Sequence, residues 1–235
     1  LLLFSKAGAQ VPMEIETLKL MMGQNHYSMR ISFTLFKNIK LKDTLEYQSL
    51  DYSIYEAKYH YKTGQYELIS DGKISLVINH DDKIVIVNNI AKTEKVTIKK
   101  EVAETFLDSL KMEEFDVKLI SSKAGNLTYS FVSKDENNPI QYFYFTINSI
   151  EFTPKRIMIV YRKNIQGLIG FMNQLKVDKA DTDFPVVIID YPKFEYLDKP
   201  ELQLYSVNNL ISIKKNRISA GPKLAGYKII NYLRN

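Results

Sequence analysis

The sequence predicts a mainly β, α+β protein: an antiparallel, unclosed β-barrel or strongly curved sheet, with an N-terminal helix and helical insertions serving as a lid. Three observations lead there. Among 235 residues there are 16 Tyr and 12 Phe but no Trp and no Cys, and Tyr, Phe, Ile and Val favour a pleated, half-buried surface. Apolar residues alternate with polar ones along most of the chain. The connectors between these runs are short and have hairpin composition.

At 45% hydrophobic and 25% charged, with only 9 Gly and 7 Pro, the chain is neither collagenous, disordered nor braced by disulfides. It is long enough to bury a substantial core. Residues 10–235 are expected to form a single β domain, because no Pro- or Gly-rich linker and no fixed repeat interrupts them.

The first ten residues, Leu1-Leu2-Leu3-Phe4-Ser5-Lys6-Ala7-Gly8-Ala9-Gln10, run from apolar to small side chains in an Ala-x-Ala arrangement. This is the pattern of the end of a signal peptide. Residues 1–9 are accordingly expected to be its remnant, with Gln10 beginning an exported, periplasmic protein. No Cys is present to carry a lipid anchor, so a soluble, unanchored monomer is expected.

Met13 to Met22 carries apolar residues at helical spacing, with Pro12 before it and Gly23 after it, which predicts one amphipathic helix. From Tyr27 the period becomes two: Tyr27, Met29, Ile31, Phe33 and Leu35 share one face, and Ser28, Arg30, Ser32 and Thr34 the other. Further strands are expected over Thr44 to Asp51, Ser53 to Tyr61, Gln65 to Ser70, Ile74 to Asn79 and Lys83 to Asn88, with a short one over Lys95 to Lys99. Glu101 to Met112 returns to helical spacing. Strands resume over Asp116 to Ile120, Leu127 to Ser133, Ile140 to Asn148 and Lys155 to Arg162. A Gly-interrupted apolar insertion, Gly167 to Leu175, reads as a short helix or flap. Pro185 to Tyr191 and Leu204 to Ile213 read as closing strands, followed by a terminal segment from Pro222.

The net charge of +5, from 32 basic and 27 acidic residues, is spread over short mixed groups at Lys37 to Lys42, Lys92 to Lys100 and Lys214 to Arg217. A nucleic-acid surface needs clustering, so none is expected. Catalytic groups are scarce: there is no Cys nucleophile, and His26, His60 and His80 are far apart in sequence. No nucleophile elbow, phosphate loop or metalloprotease helix occurs, and no enzyme activity, cofactor or metal is expected. The His80-Asp81-Asp82 run reads as a polar turn, and Arg30 as either solvent-facing or bonded to a lid backbone.

The candidate site is apolar. Leu20, Met21 and Met22 of the first helix, Tyr27, Met29, Ile31, Phe33 and Leu35 of the first strand, and Phe106, Leu107, Leu110, Ile169, Phe171 and Met172 of the insertions are expected to line a hydrophobic cavity and its lid. Met suits a variable apolar guest because it is unbranched and polarisable. A packed core using the same side chains is the plainer alternative.

The segment Gln65-Tyr66-Glu67-Leu68-Ile69-Ser70-Asp71-Gly72-Lys73-Ile74-Ser75-Leu76-Val77-Ile78-Asn79, followed by Lys83 to Val87, resembles the strand-turn-strand of LolA/LolB-like periplasmic lipoprotein carriers. Gly226 to Asn231 is similar to the endings of uncharacterised Bacteroidetes relatives. The resemblance is clearest over Met13 to Met112. It implies a carrier or chaperone of outer-membrane biogenesis that binds lipoprotein acyl chains or another lipid without catalysis, between membrane-bound donor and acceptor proteins. The Arg and Pro that help latch the lid in such carriers have no counterpart in Ser53-Ile54-Tyr55-Glu56-Ala57-Lys58, and the family's inner Trp residues are absent. A second reading is a cell-envelope interaction module that binds a protein or glycan through a Tyr-rich face, with Tyr142 and Tyr144 outward and Phe143 and Phe145 inward.

Overall fold

The computed structural model describes residues 11–23, 26–89, 112–162, 184–199, 201–214 and 217–233. Helix α1 spans Met13–Met22. The Pro12 carbonyl accepts the first bonds, from the Ile15 and Glu16 amides at 2.9 and 3.2 Å. Glu14 and Glu16 in the first turn and Lys19 in the last complement the helix dipole. Ile15, Leu18 and Met22 form its buried stripe.

The strands are β1 His26–Phe36, β2 Thr44–Tyr55, β3 Lys58–Thr63, β4 Tyr66–Ser70, β5 Ile74–Asn79, β6 Ile84–Asn89, β7 Phe115–Lys123, β8 Asn126–Ser133, β9 Ile140–Asn148, β10 Thr153–Tyr161, β11 Val186–Tyr196, β12 Ile211–Lys214, β13 Arg217–Ala220 and β14 Lys228–Tyr232. Twelve of them form one sheet in the order β14-β6-β5-β4-β3-β2-β1-β11-β10-β9-β8-β7, while β12 and β13 make a separate hairpin. The order is linear, so the sheet is not closed into a barrel. Strands β2 to β6 pair antiparallel in succession, as do β7 to β11, and β14 joins β6 in parallel. The predicted class, mainly β with an unclosed sheet and an N-terminal helix, is the one observed. The expected short strand at Lys95 to Lys99, the helix from Glu101 and the insertion Gly167 to Leu175 lie outside the described residues.

Two expectations need correction. The break expected near Tyr52 does not exist: β2 runs through to Tyr55, and the turn falls at Glu56-Ala57, where Glu56 takes φ +56°. Tyr52, Ser53 and Ile54 are consecutively buried, so both faces of this strand are covered and the alternation that marks a one-sided strand is lost. The strand expected over Leu204 to Ile213 is instead two 3-10 turns, Leu202–Tyr205 and Val207–Asn209, before β12. Tyr205 and Val207 are both buried, the i, i+2 spacing that a strand would also show, which is why the pattern read as a strand.

In the Asp71-Gly72 hairpin only Gly72 has positive φ, at +90°. The Asp71 carboxylate accepts from the Lys73 and Ile74 amides at 2.8 and 2.9 Å, an Asx turn that fixes the loop without strain at Asp71.

The chain falls into two compact units. The first comprises Leu1–Met21, Ser32–Gln48 and Phe106–Pro192; the second comprises Met22–Ile31, Ser49–Thr105 and Lys193–Asn235. In the first unit, Phe131 lies opposite Phe143, and Phe143 and Phe145 lie opposite Ile159 and Ile157. Because side chains alternate, these residues share one face. The Phe131 and Phe143 rings stack at 4.2 Å, with Phe115 edge-on to Phe143 at 5.3 Å. The opposite face carries Thr146, Arg156 and Asp190, and a small cluster of Val160, Val186 and Ile188 packed with Phe36, Tyr142 and Met158.

In the second unit, Ile69, Leu76, Ile78, Val85 and Val87 of β4–β6 pack with Val207, Ile211 and Leu224. Arg30 and Asp51 pair on this same face, as register and alternation require. Tyr27 and Tyr52 meet on the other face, their rings 5.9 Å apart.

Candidate functional site

In the first unit Phe36 packs on the Val160 cluster, which places Phe33 and Leu35 on the opposite face, that of Phe143 and Phe145. Helix α1 is held to this aromatic face by Tyr129, whose hydroxyl donates to a Glu14 carboxylate oxygen at 2.8 Å. Tyr129 lies opposite Phe145 in the ladder. Burial and the neighbouring Glu14 carboxylate push the Tyr129 phenol up to about 12, so the hydroxyl remains a donor at any ordinary pH. Leu35 is buried, while Phe33 is only half-buried.

The predicted site residues are distributed as follows. Leu20 lies off the buried stripe of α1 and is 73% exposed. Met21 is half-buried and Met22 buried. Tyr27, Met29 and Ile31 are buried in the second unit, where Tyr27 also stacks on Phe194 at 5.5 Å. Phe106, Leu107, Leu110, Ile169, Phe171 and Met172 lie outside the described residues. Tyr142 and Tyr144 are half-buried on the face opposite the fully buried Phe143 and Phe145, their own rings 5.4 Å apart.

Arg30 makes a two-pronged ion pair with Asp51, Nε to Oδ1 at 2.7 Å and Nη2 to Oδ2 at 3.1 Å. Its side chain is 57% exposed. Arg30 is thus solvent-facing, one of the two sequence readings, and bonds the Asp51 side chain.

A second group was not legible in the sequence. His60 on β3 and His80 beyond β5 each contact a different oxygen of Glu67 on β4, Nε2 to Oε1 at 2.8 Å and Nε2 to Oε2 at 2.9 Å. The His80 Nδ1 lies 2.9 Å from the Tyr227 hydroxyl. The His60 hydrogen bond, assisted by that of His80 and opposed by burial, brings the Glu67 carboxyl down to about 2. Glu67 is therefore an ionised acceptor between two imidazole N–H donors. The signal available was the seven-residue spacing of His60 and Glu67 across a tight hairpin; the contribution of Tyr227, 147 residues from His80, had none.

This group borders a partly open cavity of about 280 Å³. Ile69, Ile78 and Leu224 form its aliphatic floor, and Gln203, Ser206, Asn209 and Lys223 stand on its wall. The adjacent Asp81-Asp82 turn is held by Asn79, whose Oδ1 accepts from both amides at 3.0 and 3.1 Å. Among the described residues no group of three or more His, Cys, Asp or Glu is arranged to hold a metal ion, and no helix is long and apolar enough to cross a membrane.

No protein-family model matches the chain, and no curated protein matches it at a significant level. Solved structures do. MucB of Pseudomonas aeruginosa, in its complex with MucA, is 10% identical with a TM-score of 0.44, over 82% of this chain and 59% of that one. An uncharacterized conserved protein from Thermus thermophilus is 9% identical with a TM-score of 0.41, over 94% and 99% of the two chains. A LolA superfamily protein from Nitrosomonas europaea is 9% identical with a TM-score of 0.30, over 83% and 98%. The chain thus spans less than two thirds of the MucB structure it matches. These likenesses concern architecture alone and assign no residue a role.

Proposed function

We propose that this protein is a non-catalytic periplasmic carrier that shelters acyl chains of a lipid or lipoprotein against the aromatic face of its first unit. The observation that carries this reading is the docking of α1 by Glu14 and Tyr129 on the face that also carries the half-buried Phe33. Because α1 also buries Ile15 and Leu18, an apolar guest would enter by shifting the helix from the sheet. The resemblance of Gln65 to Asn79 to lipoprotein carriers supports the same reading. Leu20 and Met21 form the proposed rim, while the lid expected from Phe106, Leu107, Leu110, Ile169, Phe171 and Met172 lies outside the described residues. Each methylene withdrawn from water contributes roughly 0.8 kcal/mol, enough to hold a chain yet release it to an acceptor. Titration of delipidated protein with a fluorescent acyl probe tests the site: saturable binding, weakened about tenfold or more by Phe33→Asp, supports it, and indifference to that substitution removes it.

The Tyr142 and Tyr144 pair favours a second reading, a cell-envelope module that binds a protein or glycan through that strip. Replacing both Tyr by Ser separates the two readings, because it spares the acyl probe and abolishes capture of a partner only if the strip is the interface.

A further inference from the structure

We propose that the cavity over β3–β5 in the second unit is a separate binding site for a small aliphatic carboxylate, with its anionic end at Lys223 and its tail on Ile69, Ile78 and Leu224. It shares no residue with the apolar site proposed above and stands or falls independently of it.

The walls decide the class of ligand. The carboxylate on the wall, Glu67, already has both oxygens engaged by His60 and His80 at 2.8 and 2.9 Å. A cationic guest would meet a carboxylate already accepting one hydrogen bond on each oxygen. Lys223 is in the opposite position: it lines the cavity, and among the described residues its ammonium has no carboxylate partner. Lys223 is the charged lining residue with no hydrogen-bonded or ion-pair partner among the described residues. Gln203, Ser206 and Asn209 add amide and hydroxyl groups that make no side-chain hydrogen bond among the described residues, and so are open to a ligand oxygen. No Phe, Tyr or Trp lines the cavity, so the broad platform on which a sugar ring packs is missing. The floor is aliphatic, with Leu204 and Leu210 offering accessible apolar surface beside the packed Ile69, Ile78 and Leu224. A volume of about 280 Å³ accommodates roughly ten non-hydrogen atoms at about 30 Å³ each, the size of a six- to eight-carbon carboxylate.

The wall bearing Lys223 is fixed by Gly221. The Gly221 amide donates to the Leu210 carbonyl at 2.7 Å, and a Cβ on Gly221 would lie 2.8 Å from that oxygen. Only glycine lets the Pro222–Leu224 turn approach closely enough to place Lys223 and Leu224 together at the rim and floor.

The test is a methyl NMR titration of the full chain with sodium hexanoate, with hexanol and hexylamine in parallel, following the Ile69, Ile78 and Leu224 methyls. Hexanoate is expected to shift these methyls saturably, with hexanol and hexylamine at least about tenfold weaker. Lys223→Gln, an exposed and conservative change, is expected to weaken hexanoate about tenfold and leave hexanol unchanged. Saturable shifts by hexanol equal to those by hexanoate, tighter binding of hexylamine, unaltered hexanoate affinity in Lys223→Gln, or no saturable shift at these methyls would each overturn the proposal. An acyl-probe titration read at the first unit is unaffected by Lys223→Gln in either case, so failure here leaves the carrier reading untouched.

Discussion

The Tyr129 hydroxyl donates to the Glu14 carboxylate at 2.8 Å and thereby ties α1 to β8 on the aromatic side of the first unit. Tyr129 is 6% exposed, and its hydrogen bond to the half-buried Glu14 is partly screened from water. Removing the hydroxyl leaves the ring packing in place and isolates the tie. Tyr129→Phe is expected to cost about 2 kcal/mol, as for a hydrogen bond to a charged group, read as a lower urea midpoint with unchanged slope. An unchanged midpoint would show that α1 is held by Ile15 and Leu18 alone.

Glu67 makes stability depend on acid. Its carboxyl titrates at about 2 rather than at its ordinary 4.5, because the ionised form is the one that accepts from His60 and His80. A depressed folded value means that the stabilisation is complete above about 4.5 and is lost as pH falls through about 2. At 18% side-chain exposure, the shift corresponds to up to about 3 kcal/mol. Denaturation midpoints of the wild type are expected to decline over that window, and those of Glu67→Gln to decline less. Parallel declines would dissociate the His60–Glu67–His80 group from acid stability.

Gly221→Ala is expected to destabilise the protein by about 1–3 kcal/mol, since the added methyl meets a backbone oxygen at 2.8 Å rather than a side chain that can yield. Thermal melting checks it. A neutral result would mean that the Pro222–Leu224 turn shifts freely, and that the geometry around Lys223 is not fixed.

Arg30→Met is expected to change stability by no more than about 1 kcal/mol, in a salt-dependent way, because the Arg30–Asp51 pair is largely in solvent. Acyl-probe affinity is expected to be unchanged. A large loss of affinity would give Arg30 a part in ligand binding that its position on the face opposite Tyr27 does not provide.

Hairpins and the α1 boundaries were legible in the sequence because their signals are local: Pro12 and Gly23 around a helical stripe, Asp71-Gly72 between two alternating runs. The pattern misled at Tyr52 and at Leu204 because burial there is set by distant partners. The Ser53 hydroxyl lies 2.5 Å from that of Tyr205 across 152 residues, and no periodicity in either segment encodes that. The alternation of Tyr142, Phe143, Tyr144 and Phe145 was readable for the same reason that it is observed, since a strand has period two. The His60, Glu67 and His80 group was not, because three ordinary polar residues acquire meaning only when β3, β4 and the turn after β5 are placed side by side.

The central claim, that the aromatic face of the first unit shelters an acyl chain, is tested most directly by native mass spectrometry of the protein purified from an exporting bacterial host, with extraction and identification of any bound lipid. The account predicts adducts of acyl-lipid mass that are depleted in Phe33→Asp while the fold is retained. A protein that is never found with lipid, and takes up none when acyl lipid is supplied, would contradict it.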